Sequence, residues 1–156
     1  MTVESLFLNF SADKLRQFAD SIAVCVGKLN DDQIWARGHE SSNAIGNLIL
    51  HLNGNVRQWI ISELGGNPCE RDRDAEFAAR GNVTGAELIA RLKNTVEHAA
   101  QVISSLTTDR LTRMYDIQSY GCSGVEAVYH VVEHFAEHTG QIIFATKLLT
   151  GEDLGF

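Results

Sequence analysis

Four long stretches of the chain carry apolar residues at alternating steps of three and four, and this spacing constrains the fold more than any other feature. In the first stretch, residues 3–29, the apolar positions are Leu15, Phe18, Ile22, Cys25 and Leu29. A helix with that spacing has one apolar stripe, which it must bury against other helices. Apart from a short extended piece near 113–120, no segment alternates with the period of a strand. The sequence therefore predicts an all-α four-helix bundle.

Capping residues and glycines indicate where the other three helices begin and end. Ser41 or Ser42 is expected to cap the second helix, which ends near Leu64 before two glycines. Thr84-Gly85-Ala86-Glu87 and Ser123-Gly124-Val125-Glu126 both have the form of a capping box, and they open the third and fourth helices.

Length and charge exclude several classes of protein. The 156 residues suffice for one substantial core, so a single domain spanning 1–156 is expected. The connection 65–83 is longer than adjacent antiparallel helices need, and we expect it to cross the end of the bundle. A net charge of −7, without any run of Lys or Arg, gives no electrostatic basis for binding nucleic acid or a membrane surface. The partner is therefore expected to be a small molecule.

The chain shows no sign of export or membrane insertion. No apolar stretch reaches the roughly 18 residues that span a bilayer, and the N-terminal segment lacks the pattern of a signal peptide. Cys25, Cys69 and Cys122 are too few and too scattered for a disulfide framework. These features predict a cytoplasmic protein in a reducing compartment.

Three histidines predict a metal site inside the bundle. His134 and His138 are four residues apart, a step that advances about 40° around a helix, so both lie on nearly one face. Such pairs also occur on ordinary helix surfaces, but the apolar neighbours of this pair include Phe135, and an imidazole there needs a partner. His51 has an equivalent setting in the second helix. Three neutral nitrogens suit zinc, nickel, copper or iron and leave a coordination position open for water or substrate.

The polar residues around these histidines have alternative interpretations. His130 would need a rotation of about 80° to share an ion with His138, so we place it beside the site or at the surface. Glu133 and Glu137 complete two His-x-x-Glu-His strings, the spacing of inverse zincin peptidases, although we favour solvated carboxylates. Cys122 is either a thiol whose pKa is lowered by the dipole of the fourth helix or, the interpretation we favour, an ordinary loop cysteine.

Three side-chain amides are the candidates for catalytic or ligand-positioning roles. Asn47 and Asn55 lie one turn on either side of His51 and share its face of the second helix. Gln141 follows His138 by three residues, where it can orient a bound water or a ligand imidazole.

The chain resembles the DinB-like superfamily of metal-binding four-helix bundles, which includes bacillithiol transferases and mycothiol-dependent maleylpyruvate isomerases. The resemblance rests on residues 47–55, NLILHLNGN, and 132–142, VEHFAEHTGQI, and it extends loosely over the whole chain. It implies a metal held by His51, His134 and His138, an up-down-down-up order of helices that requires the long 65–83 connection, and a homodimer. The better known transferases have His-Arg-Gly-Gln where this chain has His-Thr-Gly-Gln at 138–141. The chain is therefore more similar to an uncharacterised branch.

The resemblance and the histidines together predict an enzyme that uses zinc, nickel or iron to transfer a low-molecular-weight thiol to an electrophilic small molecule. A bound divalent ion stabilises a thiolate, as it does for coordinating cysteines. The alternatives are a hydrolase with a metal-activated water and a non-catalytic metal-binding stress or interaction protein. A fourth protein ligand would indicate the non-catalytic role, and an open coordination position would indicate catalysis.

Overall fold

The computed structural model describes residues 2–156, and four long helices dominate it. The elements in chain order are α1 (Val3–Val26), α2 (Asp31–Trp35), α3 (Ile45–Val56), a π-helical segment (Arg57–Leu64) continuous with α3, α4 (Arg73–Ala78), α5 (Gly85–Ser104), α6 (Thr108–Thr112), β1 (Met114–Ile117), β2 (Tyr120–Ser123) and α7 (Gly124–Thr150). Helices α1, α3 with its π-helical extension, α5 and α7 correspond to the four predicted helices. The helical bundle is thereby confirmed. None of the described helices has the length and apolar character needed to cross a bilayer.

Ion pairs between α1 and α5 show the relative direction of these two helices. Both α1 and α3 pack against α5 and α7. Arg16 of α1 pairs with Glu97 of α5, and Asp20, one turn later, pairs with Lys93, one turn earlier. The two helices are therefore antiparallel.

Contacts between α1 and α7 run in the opposite sense. The ring of Phe18 lies 6.2 Å from that of Phe135. Further along both segments, Lys28 pairs with Glu152 just beyond the end of α7. Residue numbers rise together in these two contacts, so α1 and α7 are parallel.

The second long helix runs antiparallel to α7, which completes the helix order. His51 faces His134, whereas Trp59, two turns later, lies against His130, one turn earlier. The order is therefore up-down-down-up, as the resemblance implied. The second and third long helices run in the same direction, so residues 65–84, which include α4, must return along the bundle between them.

Apolar side chains from all four long helices form one continuous core. Among the largest fully buried members are Leu15 of α1, Leu52 of α3, Leu92 of α5 and Phe135 of α7. Each lies on the apolar stripe of its helix, as the spacing predicted.

Local hydrogen bonding explains where the helices begin. Thr84 and Ser123 each cap the backbone N–H three residues later, so both predicted capping boxes are confirmed. The prediction that Ser41 or Ser42 caps the second helix was wrong, because this helix begins at Ile45. Ser42 instead closes a turn with the backbone of His39, and Asn47 Oδ1 accepts the Ala44 N–H.

The segment before α7 is more regular than the short extended piece that was predicted. Strands β1 and β2 form an antiparallel hairpin in which Ile117 pairs with Tyr120. The turn consists of Gln118 and Ser119, with φ angles of 57° and 64°. Left-handed conformation at both positions characterises a type I′ turn, in which Asn and Gly are the usual residues.

Candidate metal centre

Three imidazoles converge between α3 and α7. His51, His134 and His138 each offer a nitrogen, and these atoms all lie within 4.8 Å of one another. The Nε2 atoms of His51 and His134 are 3.0 Å apart. His138 Nδ1 is 2.8 Å from Gln141 Oε1, so its Nδ1–H donates to this amide and its Nε2 is left as the ligand atom. The structure thus brings together the three histidines that the sequence analysis selected.

The packing of α7 sets the direction of the histidine pair. Phe135, fully buried between His134 and His138 in the sequence, holds this part of the helix against the core. Thr139 is also buried, and its hydroxyl donates to the backbone oxygen of Phe135. With both residues inside, the two histidines lie at the edge of the core, facing His51.

A carboxylate from the crossover orients His51. Glu76, on α4, lies with its Oε2 atom 3.0 Å from His51 Nδ1. Arg71 donates to the same carboxylate through Nε at 2.7 Å and through Nη2 at 2.9 Å. Arg71 Nη2 is also 3.1 Å from His51 Nδ1. We assign the proton to Nδ1, because the ionised Glu76 carboxylate can only accept a hydrogen bond, and this leaves Nε2 of His51 unprotonated.

The surroundings of the centre keep Glu76 ionised and His134 neutral. Burial raises the pKa of Glu76, but hydrogen bonds from Arg71 and His51 outweigh this, so that its pKa is lowered and it stays ionised. Burial, together with the neighbouring His138 and His51, lowers the pKa of His134 to about 4. His134 is therefore a neutral imidazole near pH 7.

The donor set fits a divalent transition-metal ion. Nitrogens bound tetrahedrally at 2.0–2.1 Å lie roughly 3.3 Å apart. The Nε2 atoms of His51 and His134, at 3.0 Å, are close to this separation. His51 carries its proton at Nδ1, so the lone pair of its Nε2 points at His134 Nε2, and a metal ion between the two nitrogens would bind both. The three histidines could therefore hold a metal ion.

His130 and the two glutamates lie around the centre. The ring of His130 is 4.2 Å from that of Trp59 and 5.7 Å from that of His134. Burial lowers the pKa of His130, although Glu133 opposes this shift. Glu133 and Glu137 are exposed and form no ion pair within residues 2–156. Their exposure agrees with the solvated carboxylates that we favoured.

The three candidate amides have different surroundings. Gln141 contacts His138, as described above. The amide of Asn47 is used in holding the crossover, since its Nδ2 donates to the backbone oxygens of Glu76 and Ala79 at 2.9 Å each. Asn55 is buried and borders a cavity next to the centre. Of the two asparagines, Asn55 is therefore the one available to a ligand.

Cys122 has the surroundings of a structural residue. It is 1% exposed, and burial raises the pKa of its thiol, with the charge of Glu126 acting in the same direction. A thiol of raised pKa is mostly protonated at neutral pH and is a poor nucleophile. Cys122 lies buried in β2, so the prediction of a loop position was wrong, whereas its environment agrees with the unreactive cysteine that we favoured.

Arg71 and Glu76 were not among the site residues predicted from the sequence. Both lie in the 65–83 connection, where opposite charges five residues apart carry no recognisable motif. One signal was available in Gly54, because a glycine in the middle of a helix lowers its stability and often marks a close approach. A Cβ atom at Gly54 would collide with the carboxylate of Glu76 and approach Nε of Arg71 to 2.9 Å.

Two adjoining cavities border the metal centre. The larger, about 1020 Å³, is bordered by His51 and His134 together with Asn55, aromatic and charged side chains and the hairpin. The smaller, about 470 Å³, is bordered by all three histidines and by charged residues that include Glu137. Both cavities are bordered by His51 and His134, so each gives access to the centre.

Comparisons with known proteins agree with the observed fold. The family model described as "Protein of unknown function (DUF1572)" matches residues 2–155. No curated protein sequence matches the chain. A conserved protein from Enterococcus faecalis has a similar structure, with 13% identity, a TM-score of 0.76 and coverage of 97% of this chain and 99% of that one. A DinB-like protein from Bacillus subtilis shares 18% identity over 95% of this chain and 97% of its own, with a TM-score of 0.71. At these identities the likeness concerns the fold, and the predicted DinB-like fold is confirmed.

Proposed function

The chain belongs to the DUF1572 family of proteins of unknown function, and we propose that it is a divalent-metal-dependent enzyme that transfers a low-molecular-weight thiol to an electrophilic small molecule. The proposal rests on three converging histidines without a fourth His, Cys, Asp or Glu in the group, among residues 2–156. A structural zinc site normally has four protein ligands, whereas a catalytic one keeps a position open. His51, His134 and His138 would hold zinc, nickel or iron in the proposed enzyme.

Each residue of the centre has a defined role in this proposal. A metal ion at the three histidines would supply the positive charge that stabilises a thiolate at neutral pH. Glu76 holds the Nδ1–H of His51, and Gln141 holds that of His138, so that both rings present Nε2. Arg71 keeps Glu76 ionised through two hydrogen bonds.

The two cavities favour a transferase over a hydrolase. A transferase must bring two substrates to one centre, whereas hydrolysis requires one substrate and water. The larger cavity, at about 1020 Å³, is in the size range of sites for drug-sized ligands, and the smaller one would accommodate a compact thiol. A non-catalytic role would not require two cavities that reach the same pair of histidines.

We also propose a cytoplasmic homodimer, formed through the outer surfaces of the parallel helices α1 and α7. Several large apolar side chains on these two helices are exposed: Leu6, Phe10, Tyr129, Phe144 and Leu148. Large apolar side chains left exposed on adjacent helices favour an interface that would cover them. Sedimentation equilibrium of the parent and of a Phe144→Ser/Leu148→Ser variant measures the association, and a monomeric parent would contradict this part of the proposal.

The first test is the metal content of untagged protein, measured by plasma mass spectrometry. We expect about one zinc, nickel or iron per chain in the parent and loss of the metal in His51→Ala and His138→Ala, because two remaining imidazoles bind a divalent ion far more weakly than three. His39→Ala, in the first loop, is the matched control and should retain the metal. A parent that neither carries metal nor takes it up on reconstitution would overturn the proposal.

The second test concerns the thiol. Cobalt-substituted protein is titrated with 2-mercaptoethanol, and a sulfur-to-metal charge-transfer absorption band is expected when the thiolate binds. Retention of metal without this band, combined with hydrolysis of a model ester, would favour the hydrolase. Retention of metal without either signal would favour the non-catalytic role.

A further inference from the structure

Four charged side chains border the larger cavity, and two of them are already engaged within the protein. Arg71 is paired with Glu76, and Glu126 accepts from the backbone N–H and the hydroxyl of Ser123 at 2.7 Å each. Arg73 and Glu133 also border the larger cavity, form no ion pair within residues 2–156, and border the smaller one as well. The Arg73 guanidinium lies over the ring of Phe77, 5.2 Å from its centroid, and Phe77 borders only the smaller cavity, so this charge is directed toward the smaller cavity.

The remaining wall of the larger cavity is aromatic. Its rings come from α1, the π-helical segment, β2 and α7: Phe7, Trp59, Tyr120 and Tyr129. Aromatic walls favour flat apolar ligands through offset stacking and edge contacts. The indole nitrogen of Trp59 is buried without a hydrogen-bond partner in residues 2–156. This nitrogen is not accessible to solvent, so Trp59 contributes the face of its ring to the wall and not a hydrogen-bond donor.

Two primary amides supply the hydrogen-bonding groups of this cavity. Asn55 is 4% exposed, one turn after His51, and its amide makes no hydrogen bond within residues 2–156. Gln118 donates through Nε2 to Gln58 Oε1 at 2.7 Å, which leaves its second N–H and its carbonyl oxygen free. The two amides come from different elements of the fold, Asn55 from α3 and Gln118 from the hairpin turn, and both border this cavity.

The backbone at Gln118 indicates that this residue serves more than the turn. Gln118 and Ser119 both have positive φ angles, a conformation in which Gly and Asn are less strained than other residues. Gln58 receives the Gln118 amide and also accepts a hydrogen bond from Arg71 Nη1 at 3.0 Å. Strained positions that the surrounding structure holds in place cluster at ligand-binding sites.

We infer that the larger cavity binds the electrophile, and that this electrophile is an uncharged aromatic compound with a conjugated carbonyl group, recognised by Asn55 and Gln118. The inference rests on the proposed thiol transfer. An aryl enone satisfies the chemistry without a leaving group or a further reactant. The thiolate sulfur forms a bond to the β-carbon, the π electrons move to the α-carbon, and this carbon takes up the proton that the thiol released. An amide donor on the carbonyl oxygen stabilises the charge that develops there.

Binding of unreactive probes tests the ligand class separately from catalysis. The full-length protein is titrated calorimetrically with 2-naphthamide, which is uncharged, and with 2-naphthoate, which has the same ring and a negative charge. We expect the parent to prefer 2-naphthamide. Asn55→Leu and Gln118→Met should each weaken its binding about fivefold to tenfold, the usual effect of one neutral hydrogen bond. Glu137→Gln, which borders only the smaller cavity, is the control and should bind like the parent.

Two binding results would overturn the inference. Equal or tighter binding of 2-naphthoate, lost in Arg73→Gln, would show an anionic ligand and overturn the inference. Unchanged binding of 2-naphthamide in both amide variants would also overturn it. Circular dichroism verifies folding, and if Asn55→Leu fails to fold, the exposed Gln118→Met carries the test. Metal analysis of the same samples distinguishes the two proposals, because a metal-free parent with the expected probe pattern contradicts only the proposed function.

Discussion

Replacement of Glu76 by glutamine tests the link between the crossover and the metal centre. Glu76 and Arg71 have side chains only 11% and 6% exposed, and the two hydrogen bonds between them are at 2.7 and 2.9 Å. Glutamine keeps the size of the side chain and one acceptor oxygen, but it leaves the buried guanidinium without a compensating charge. Breaking a buried ion pair in this way typically costs about 3–5 kcal/mol. Because the amide oxygen still accepts a hydrogen bond, we expect about 3 kcal/mol for Glu76→Gln.

This destabilisation should be reversible by removing the partner charge. Loss of about 3 kcal/mol lowers the melting temperature of a domain of this size by roughly 6–12 °C. The double variant Arg71→Met/Glu76→Gln has no uncompensated charge, so it should recover most of that loss. Metal affinity should fall about 10–100-fold in both variants, since neither offers His51 a carboxylate acceptor. Recovery of stability without recovery of metal affinity would separate the role of Glu76 as the ion-pair partner of Arg71 from its role as the acceptor for His51.

The contribution of Glu76 to folding stability should depend on pH. The pKa of Glu76 is lower in the folded protein than in the unfolded chain, so its stabilising contribution is present above the unfolded value of about 4.3. The contribution is lost as the pH falls through the folded pKa. In urea titrations, the difference between the parent and Glu76→Gln should be constant from pH 7 to pH 5 and should shrink below pH 4. A difference under about 0.5 kcal/mol at pH 7, the usual range for surface substitutions, would refute the buried pair.

Three further perturbations have defined outcomes. His134 has a folded pKa of about 4, below the unfolded value of about 6.5. The metal-free protein should therefore be fully stable above pH 6.5 and should lose up to about 3 kcal/mol of its unfolding free energy by pH 4. Urea titrations of His134→Gln should show a smaller change of this free energy with pH. Phe135→Ala should cost about 3–5 kcal/mol in urea unfolding, because it empties a fully buried site, and a loss below 1 kcal/mol would contradict this packing. Ser119→Gly should stabilise by about 1 kcal/mol in thermal melts by relieving its positive φ, and a lower melting temperature would contradict the turn geometry.

Features that depend on local sequence were predicted well. The boxes at Thr84 and Ser123 bond within four residues, so the local sequence suffices to predict them. The start of the second helix depends on competing bonds, because Ser42 engages His39 and Asn47 supplies the reciprocal cap. The hairpin strands have only four residues each, too few for alternation to stand out against chance.

Helical periodicity explains why the histidines were predictable and their carboxylate partner was not. Spacing along a helix determines which face a residue occupies, so His134 and His138 had to lie together and meet residues of a facing helix. The position of Glu76 depends instead on the path of the crossover, and the sequence patterns of residues 65–83 do not define this path. Gly54 is the residue that makes the approach possible, since any side chain there would displace the Glu76 carboxylate. A glycine in the middle of a helix near a predicted ligand therefore indicates that another segment approaches at that point, and it identifies the helix face on which to look for the partner of the imidazole.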